Sequence, residues 1–135
     1  MAIFCANRRY IDTSGVIGYD ELLYKRKNID VLGIDLASGV FRAGPTGGGT
    51  WMVSFSTDFH TRAGDVGQQL RLAKNGKFVN YPIVTSTNIK SDYVSRGGMT
   101  VYLDIDNDDL VDLHAGLPQG DLYGTEICFQ LIAKK

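Results

Sequence analysis

The chain has 135 residues, of which 44% are hydrophobic, and its 14 basic and 15 acidic side chains give a net charge of -1. This length and composition predict a single domain spanning residues 1–135, with enough apolar side chains to fill a core without metals or disulfides. The balanced charge argues against nucleic acid or an anionic membrane as a partner. Because the apolar runs are only a few residues long, membrane insertion is not expected.

The N-terminal third of the chain contains short apolar stretches separated by turn residues. Residues 2–10 predict a first strand, and a turn precedes the stretch 19–27. That stretch is compatible with a short helix capped by Asp20 or with a strand, and its periodicity does not decide between them. Strand pieces are predicted on either side of Gly33, ahead of a glycine-rich loop at residues 44–49.

The most regular strand signal follows that loop, at residues 49–55. Trp51, Val53 and Phe55 occupy every second position there. Because successive residues of a strand point to opposite faces, these three side chains predict one face of a core strand. A polar connection is predicted after it, at residues 56–67.

The second half of the chain carries the clearest turn signal. The dipeptide Asn75-Gly76, between residues 68–73 and 77–84, predicts a type I′ hairpin, since both central residues of that turn need positive φ angles. A polar loop with a strand piece around Tyr93 is predicted for residues 85–96. The remaining predictions are strands at 99–105, 110–113 and 125–133, a turn at 106–109 and a loop at 114–123.

Turn signals recur about every ten residues and separate about ten short strands, with no convincing long helix. The 16 glycines suit many tight turns. This pattern is typical of an all-β sandwich, barrel or jelly roll.

The two cysteines, Cys5 and Cys128, lie near opposite ends of the chain. Their separation matches neither a metal-binding spacing nor the C-x-x-C redox motif. The prediction is two buried free thiols. The alternative is a single disulfide that ties the first strand to the last.

An acidic segment, residues 104–109, begins like a calcium-binding EF-hand loop. It lacks the glycine at the sixth position and the glutamate at the twelfth, and no predicted helices flank it, so an EF-hand is excluded. Asp104, Asp106 and Asp108 remain candidate ligands for a surface Ca²⁺ site. The alternative interpretation is a hydrated hairpin turn.

Catalysis has no positive support in the sequence. His60 and His114 lie in separate predicted loop regions, and neither a G-x-S-x-G nor an H-E-x-x-H motif occurs. Asp58 and His60 beside serines could be drawn as a catalytic triad, but most polar loops allow such a drawing. The prediction is that the protein is not an enzyme.

Several short motifs, in order along nearly the whole chain, resemble those of the globular C1q domain of the C1q/TNF superfamily. Residues 4–8 resemble its first strand, residues 35–41 its Asp-Pro-x-Thr-Gly-x-Phe turn, and residues 72–76 its Leu-x-Lys-Asn hairpin. Residues 103–113 resemble its Leu-x-Leu-x-x-Gly-Asp-x-Val-x-Val motif. The residues that match its central signature and final strand are Tyr24, Asp30, Ile34, Phe41, Gly49, Trp51, Val53, Phe55, Phe129 and Leu131.

The chain also departs from the family pattern. The spacing between Asp30 and Ile34 is one residue short, and the loop before Gly49 is two residues longer. Asp108 stands where the family usually has glycine. No collagen-like Gly-x-y repeat occurs in the sequence. These departures identify a divergent, stand-alone member without a collagen region.

The resemblance implies a jelly-roll β-sandwich of about ten strands that assembles as a homotrimer around a threefold axis. It implies a non-catalytic, secreted recognition module for carbohydrate, microbial-surface or protein ligands, with innate-immune or lectin-like roles. It also implies that Ca²⁺ can be held near the axis, as some members hold it. The alternative is a structural trimerisation knob at the tip of a fibre, a spore coat or a viral spike.

The ligands of this family bind loops, so polar loop residues are the candidate ligand contacts. An ordinary solvated side chain is the alternative at each position. The candidates are Arg62, Asp65, Lys90, Asp92, Tyr93, Arg96 and His114.

Overall fold

The computed structural model describes residues 3–11, 15–25, 32–44, 47–61, 69–79, 84–85, 93–116 and 121–135. These residues form twelve β-strands and no helix, so the all-β prediction is confirmed. The strands are β1 (Ile3–Ile11), β2 (Gly15–Val16), β3 (Glu21–Lys25), β4 (Leu32–Asp35), β5 (Val40–Ala43), β6 (Gly49–Thr61), β7 (Gln69–Lys74), β8 (Lys77–Phe78), β9 (Val84–Thr85), β10 (Tyr93–Ile105), β11 (Leu110–Ala115) and β12 (Asp121–Lys134).

The strands build two antiparallel sheets that pack face to face as a jelly roll. A five-stranded sheet has the order β10-β6-β12-β1-β3. A seven-stranded sheet has the order β4-β5-β11-β7-β8, with β2 paired to β11 and β9 paired to β7. Neighbours in both sheets are mostly distant in sequence, which is the mark of Greek-key connections. Within the described part of the chain there is no helix that could span a membrane.

The predicted core strand, β6, is an interior strand of the five-stranded sheet. β6 pairs with β10 and β12 over most of its length. Trp51, Val53 and Phe55 are buried as predicted, and they belong to one contiguous core that both sheets share. The indole Nε1 of Trp51 donates a hydrogen bond to the Gly47 carbonyl at 2.9 Å, which satisfies its polar atom inside the core.

The predicted hairpin is also present, between β7 and β8. Asn75 and Gly76 have φ angles of 52° and 80°, as a type I′ turn requires. The Asn75 side chain bonds Asp109 at 2.8 Å and the Leu110 amide at 2.9 Å. This hairpin is therefore tied to the predicted turn that precedes β11.

Several strands are longer than predicted. β6 continues to Thr61, β10 begins at Tyr93, and β12 begins at Asp121, where the sequence pattern predicted loops. In the β6 extension the buried Phe59 lies between two polar outer residues, and in the β12 extension Leu122 is buried. Because these segments are polar overall, the alternation of buried and exposed residues in them was not recognised in the sequence. The stretch 19–27, left open between helix and strand, contains β3.

The prediction of two free thiols is wrong. Cys5 on β1 and Cys128 on β12 lie directly opposite each other in the antiparallel register. Their Cα atoms are 4.1 Å apart, and the two side chains form a disulfide. Their neighbours Phe4 and Phe129 point into the core, so by alternation the disulfide lies on the outer face of the sheet. Only the pairing of the first and last strands brings the two cysteines together.

Candidate functional site

The outer face of the five-stranded sheet presents a regular grid of side chains, which we call the front face. Strand pairing aligns them in four rows that run across β1, β12, β6 and β10 in that order. The rows are Ile3, Gln130, Met52 and Tyr102; Cys5, Cys128, Ser54 and Thr100; Asn7, Glu126, Ser56 and Gly98; and Tyr10, Tyr123, Asp58 and Arg96.

Large apolar side chains are concentrated on or beside this face. Among the described residues seven large hydrophobic side chains are exposed, and four of them are Tyr10, Tyr102, Tyr123 and Ile132. Tyr102 is 65% exposed, the highest value of the seven. Tyr10 and Tyr123 stack at the opposite end, with ring centroids 5.1 Å apart. The front face thus carries exposed apolar groups at both ends.

The polar groups between those ends bond to one another. Arg96 donates from Nη1 to the Asp58 carboxylate at 3.1 Å and from Nη2 to the Ser56 hydroxyl at 2.8 Å. Its Nη2 also lies 4.0 Å from the Glu126 carboxylate. Ser54 and Thr100 share a hydrogen bond of 3.0 Å between their hydroxyls. Charge and hydrogen-bonding capacity on this face are largely satisfied within the chain.

A depression of about 470 Å³ opens on the front face beside Gly98. A Cβ atom at Gly98 would come within 2.8 Å of the Phe55 carbonyl oxygen and of the Ser56 Cβ. The close approach of β6 therefore leaves no room for a Cβ atom at this position, and Gly98 forms part of the wall of the depression. The lining residues are Ser54, Phe55, Ser56, Gly98, Met99, Thr100, Glu126 and Cys128.

The outer face of the seven-stranded sheet, the back face, holds a second cluster. Its two rows are Val16, His114 and Arg71, and Asp112, Ala73 and Phe78. The Phe78 ring meets His114 edge-on with centroids 5.3 Å apart, and the Arg71 guanidinium carbon lies 4.9 Å from the Phe78 centroid. The Asp112 carboxylate is 2.6 Å from Nε2 of His114.

Four buried side-chain polar atoms among the described residues have no hydrogen-bond partner, namely Asn7 Oδ1, Tyr19 Oη, Arg71 Nε and Asp112 Oδ1. Arg71 and Asp112 belong to the back face, whereas Asn7 lies on the front face and Tyr19 lies in the core. Burial raises the pKa of Tyr19 far above its ordinary range, and the negative charge of Asp112 raises it further.

The acidic turn places its carboxylates against different partners. Asp104 accepts from the Thr50 hydroxyl at 3.0 Å, Asp108 faces Arg42 at 3.7 Å, and Asp106 pairs with Lys135. The hydrogen bond that Lys135 donates to the Asp106 carboxylate, followed by the negative charge of that group, raises the pKa of Lys135. In the part of the chain that the structure describes, no three His, Cys, Asp or Glu side chains are grouped as metal ligands would be. The Ca²⁺ site stays a prediction, testable by calcium titration of thermal unfolding.

The predicted ligand contacts are distributed over the molecule. Arg62, Asp65, Lys90 and Asp92 lie outside the described residues. Tyr93 begins β10 and Arg96 follows on the front face, whereas His114 lies on the back face. The sequence analysis missed the neighbours of His114, namely Arg71, Phe78 and Asp112. The alternation of buried and exposed residues along β7 and β11 predicts outer positions for Arg71, Asp112 and His114. Whether these side chains contact one another depends on the register of the two strands.

The two histidines do not share a site. His60 lies on β6 with Nδ1 3.9 Å from the Asp121 carboxylate and its ring 6.1 Å from that of Tyr123. Asp58, two residues earlier, is bound by Arg96 instead. Asp58 and His60, which the sequence would allow to be drawn as part of a catalytic triad, therefore have different partners.

Comparison with solved structures identifies the fold. No known protein family and no characterised protein matches the chain by sequence. The globular domain of zebrafish complement 1qA superposes with a TM-score of 0.76 at 14% identity, covering 100% of both chains. Murine APRIL at pH 5.0 gives a TM-score of 0.70 at 14% identity, covering 97% of this chain and 98% of that one. Rabbit GITRL gives 0.63 at 11% identity, covering 100% and 97%. The protein thus has the C1q/TNF-like jelly-roll fold that its sequence motifs resemble.

Proposed function

We propose that the protein is a secreted, non-catalytic recognition module of C1q type that assembles as a homotrimer. In this assembly the front face packs against neighbouring copies, and ligands bind elsewhere on each protomer. The observation that carries the proposal is Tyr102 on the front face, the most exposed large hydrophobic side chain among the described residues.

The chemistry of the front face suits burial against protein. Removing an exposed aromatic side chain from water is favourable by roughly 25 cal/mol per Å² of apolar area. Burying polar groups opposes association unless they are already hydrogen-bonded. Here Arg96 is bound by Asp58 and Ser56, and Ser54 by Thr100. Burial of this face therefore keeps the favourable free energy from its apolar area, while the free-energy cost of removing its polar groups from water is reduced.

The fold is the basis for proposing three copies in the assembly and a non-catalytic role. The chain shares its fold along its whole length with a complement 1q globular domain, and the family resemblance implies a threefold assembly. The two histidines lie apart in sites of different composition. The ligands proposed are carbohydrate, microbial-surface or protein ligands. The loop residues Arg62, Asp65, Lys90 and Asp92 remain candidate contacts for them.

The proposed interface is tested by placing a charge in it. Tyr102→Asp puts an unpaired carboxylate in the proposed interface, so the assembly should dissociate into monomers of 14.8 kDa. Phe78→Asp is the matched control, because Phe78 is 51% exposed on the back face. We expect the control to keep the native mass in sedimentation equilibrium. Equal masses for both variants and the parent would contradict the assignment of the front face.

The recognition function is tested separately. The trimer is applied to a glycan array and to washed microbial cells, with binding read by fluorescence. Three weak sites on one particle give avidity that a single site lacks, so Tyr102→Asp should lose most of the signal. An intact trimer that binds nothing would favour the alternative function, a structural trimerisation knob.

A further inference from the structure

The back face has the features of a small polar binding site, and it lies apart from the proposed interface. Arg71 and His114 are directly paired across β7 and β11, and Asp112 lies two residues before His114 on the same outer side. Phe78 on β8 is paired with Ala73 and adjoins both Arg71 and His114. A cation, a carboxylate, an imidazole and a half-exposed ring therefore share one surface.

Two buried polar atoms of this surface have no hydrogen-bond partner among the residues that the structure describes. The Arg71 side chain forms no ion pair or hydrogen bond with any residue that the structure describes, and its Nε is buried without an acceptor. Asp112 Oδ1 lies near His114 without the alignment of a hydrogen bond. A buried polar group that lacks a partner destabilises the protein by about 1–3 kcal/mol. Arg71 and Asp112 are only partly buried as whole residues, so their other polar atoms can meet a partner that comes from outside the chain.

The available groups define the chemistry of the ligand. The planar guanidinium of Arg71 matches a carboxylate, which it can bind through two parallel hydrogen bonds. The carboxylate of Asp112 accepts hydrogen bonds, so its complement is a hydroxyl. The exposed part of the Phe78 ring offers an apolar surface to C–H groups. A ligand that combines a carboxylate, hydroxyls and an apolar ring face meets all three.

We propose that Arg71, Asp112, His114 and Phe78 bind a hexuronic acid, the acidic pyranose unit of anionic polysaccharides. Arg71 pairs with the sugar carboxylate, Asp112 accepts from a ring hydroxyl, and Phe78 lies against the C–H face. An acidic peptide fits less well, because the charge of Asp112 repels a second carboxylate. A neutral hexose leaves Arg71 unpaired. This inference names the ligand class of the proposed recognition function and does not depend on the trimer.

The test is a titration with glucuronate and galacturonate, against glucose and galactose, followed by ¹⁵N-resolved NMR of the whole chain. Either uronate should shift the Arg71 and His114 signals, and should bind at least tenfold more tightly than its neutral hexose. Arg71→Gln should remove that preference. Lys77→Gln, which deletes another exposed cation from the adjacent strand, should preserve it.

Two results would overturn the proposal. One is equal affinity for uronates and neutral hexoses. The other is an equal effect of Arg71→Gln and Lys77→Gln on the preference for uronates. Thermal unfolding of both variants verifies that they fold, and Arg71→Lys provides a folded variant that keeps the charge but loses the planar fork. Because binding is read at one protomer, a monomeric protein would contradict the proposed trimer and leave this test unaffected.

Discussion

The two outer faces of the sandwich differ in which of their groups lack a partner. On the front face the charged groups are paired, since Arg96 contacts Asp58, Ser56 and Glu126, while Tyr102 extends into water. On the back face the ring of Phe78 has Arg71 and His114 as neighbours, and the charged side chains of Arg71 and Asp112 each have a buried atom without a hydrogen-bond partner among the described residues.

This difference indicates different partners for the two faces. A surface whose polar groups are already satisfied gains most from covering apolar area, which another protein surface provides. A surface with unsatisfied polar atoms gains most from a small ligand with complementary hydrogen-bonding groups. Two faces of one sandwich can therefore divide assembly and ligand binding between them.

The largest effect is expected from the disulfide, which ties the front face covalently. Cys5 and Cys128 are separated by 123 residues, and closing a loop of that length should stabilise the protein by about 4 kcal/mol. The double variant Cys5→Ser/Cys128→Ser should lower the free energy of unfolding by that order in urea titrations. An unchanged midpoint when the parent protein is reduced would contradict the bond's contribution.

Two arginines provide a direct comparison of the faces. Arg96→Gln leaves Asp58 and Glu126 uncompensated on the front face, so an assembly that buries them should weaken by about 3 kcal/mol. Arg71→Gln lies on the back face and should leave the assembly unchanged. Analytical ultracentrifugation over a dilution series measures both. The two-face account is wrong if Arg71→Gln dissociates the protein as much as Arg96→Gln does.

Removing either of two buried hydroxyl groups should change the free energy of unfolding, and the two changes should differ in sign. Thr57 and Thr125 share a buried hydrogen bond of 2.8 Å, so Thr57→Val should destabilise the protein by about 1–2 kcal/mol. The Tyr19 hydroxyl is buried without a partner, so Tyr19→Phe should be neutral or stabilise by up to about 1 kcal/mol. Chemical denaturation checks the pair. A loss for Tyr19→Phe equal to that for Thr57→Val would mean that the Tyr19 hydroxyl is in fact satisfied.

The smallest effect concerns the acidic turn and its pH dependence. The hydrogen bond from Asn75, followed by the backbone amide of Asp106, lowers the pKa of Asp109. The carboxylate therefore contributes stability above its unfolded pKa of about 3.9, and this contribution is lost as the pH falls through the lower folded pKa. Asp109→Asn should cost a few tenths of a kcal/mol at pH 7 and reduce the acid-induced loss. An identical acid profile for parent and variant would contradict this.

Local patterns were sufficient for the features that depend on neighbouring residues. The alternation around Trp51 predicted the core strand, and Asn75-Gly76 predicted the hairpin turn, because both signals reside in consecutive positions. The motifs shared with C1q domains predicted the jelly roll. The C-terminal half of β6 was missed, since its alternation rests on single buried residues such as Phe59. The start of β10 was predicted only as a strand piece around Tyr93.

Features that depend on strand register could not be predicted in the same way. The disulfide requires Cys5 and Cys128 to be opposed across β1 and β12, and a shift of one residue would have separated their side chains. The back-face cluster likewise requires β7, β8 and β11 to align Arg71, Phe78 and His114. His114 alone was identified, and its neighbours carried no motif in the sequence.

The central claim is that the front face is an interface between copies of this chain. Light scattering behind a sizing column measures the native mass of the unmodified protein directly, over a tenfold range of concentration. Three chains of 14.8 kDa predict a mass of about 44 kDa. A mass of 14.8 kDa at every concentration would contradict the claim.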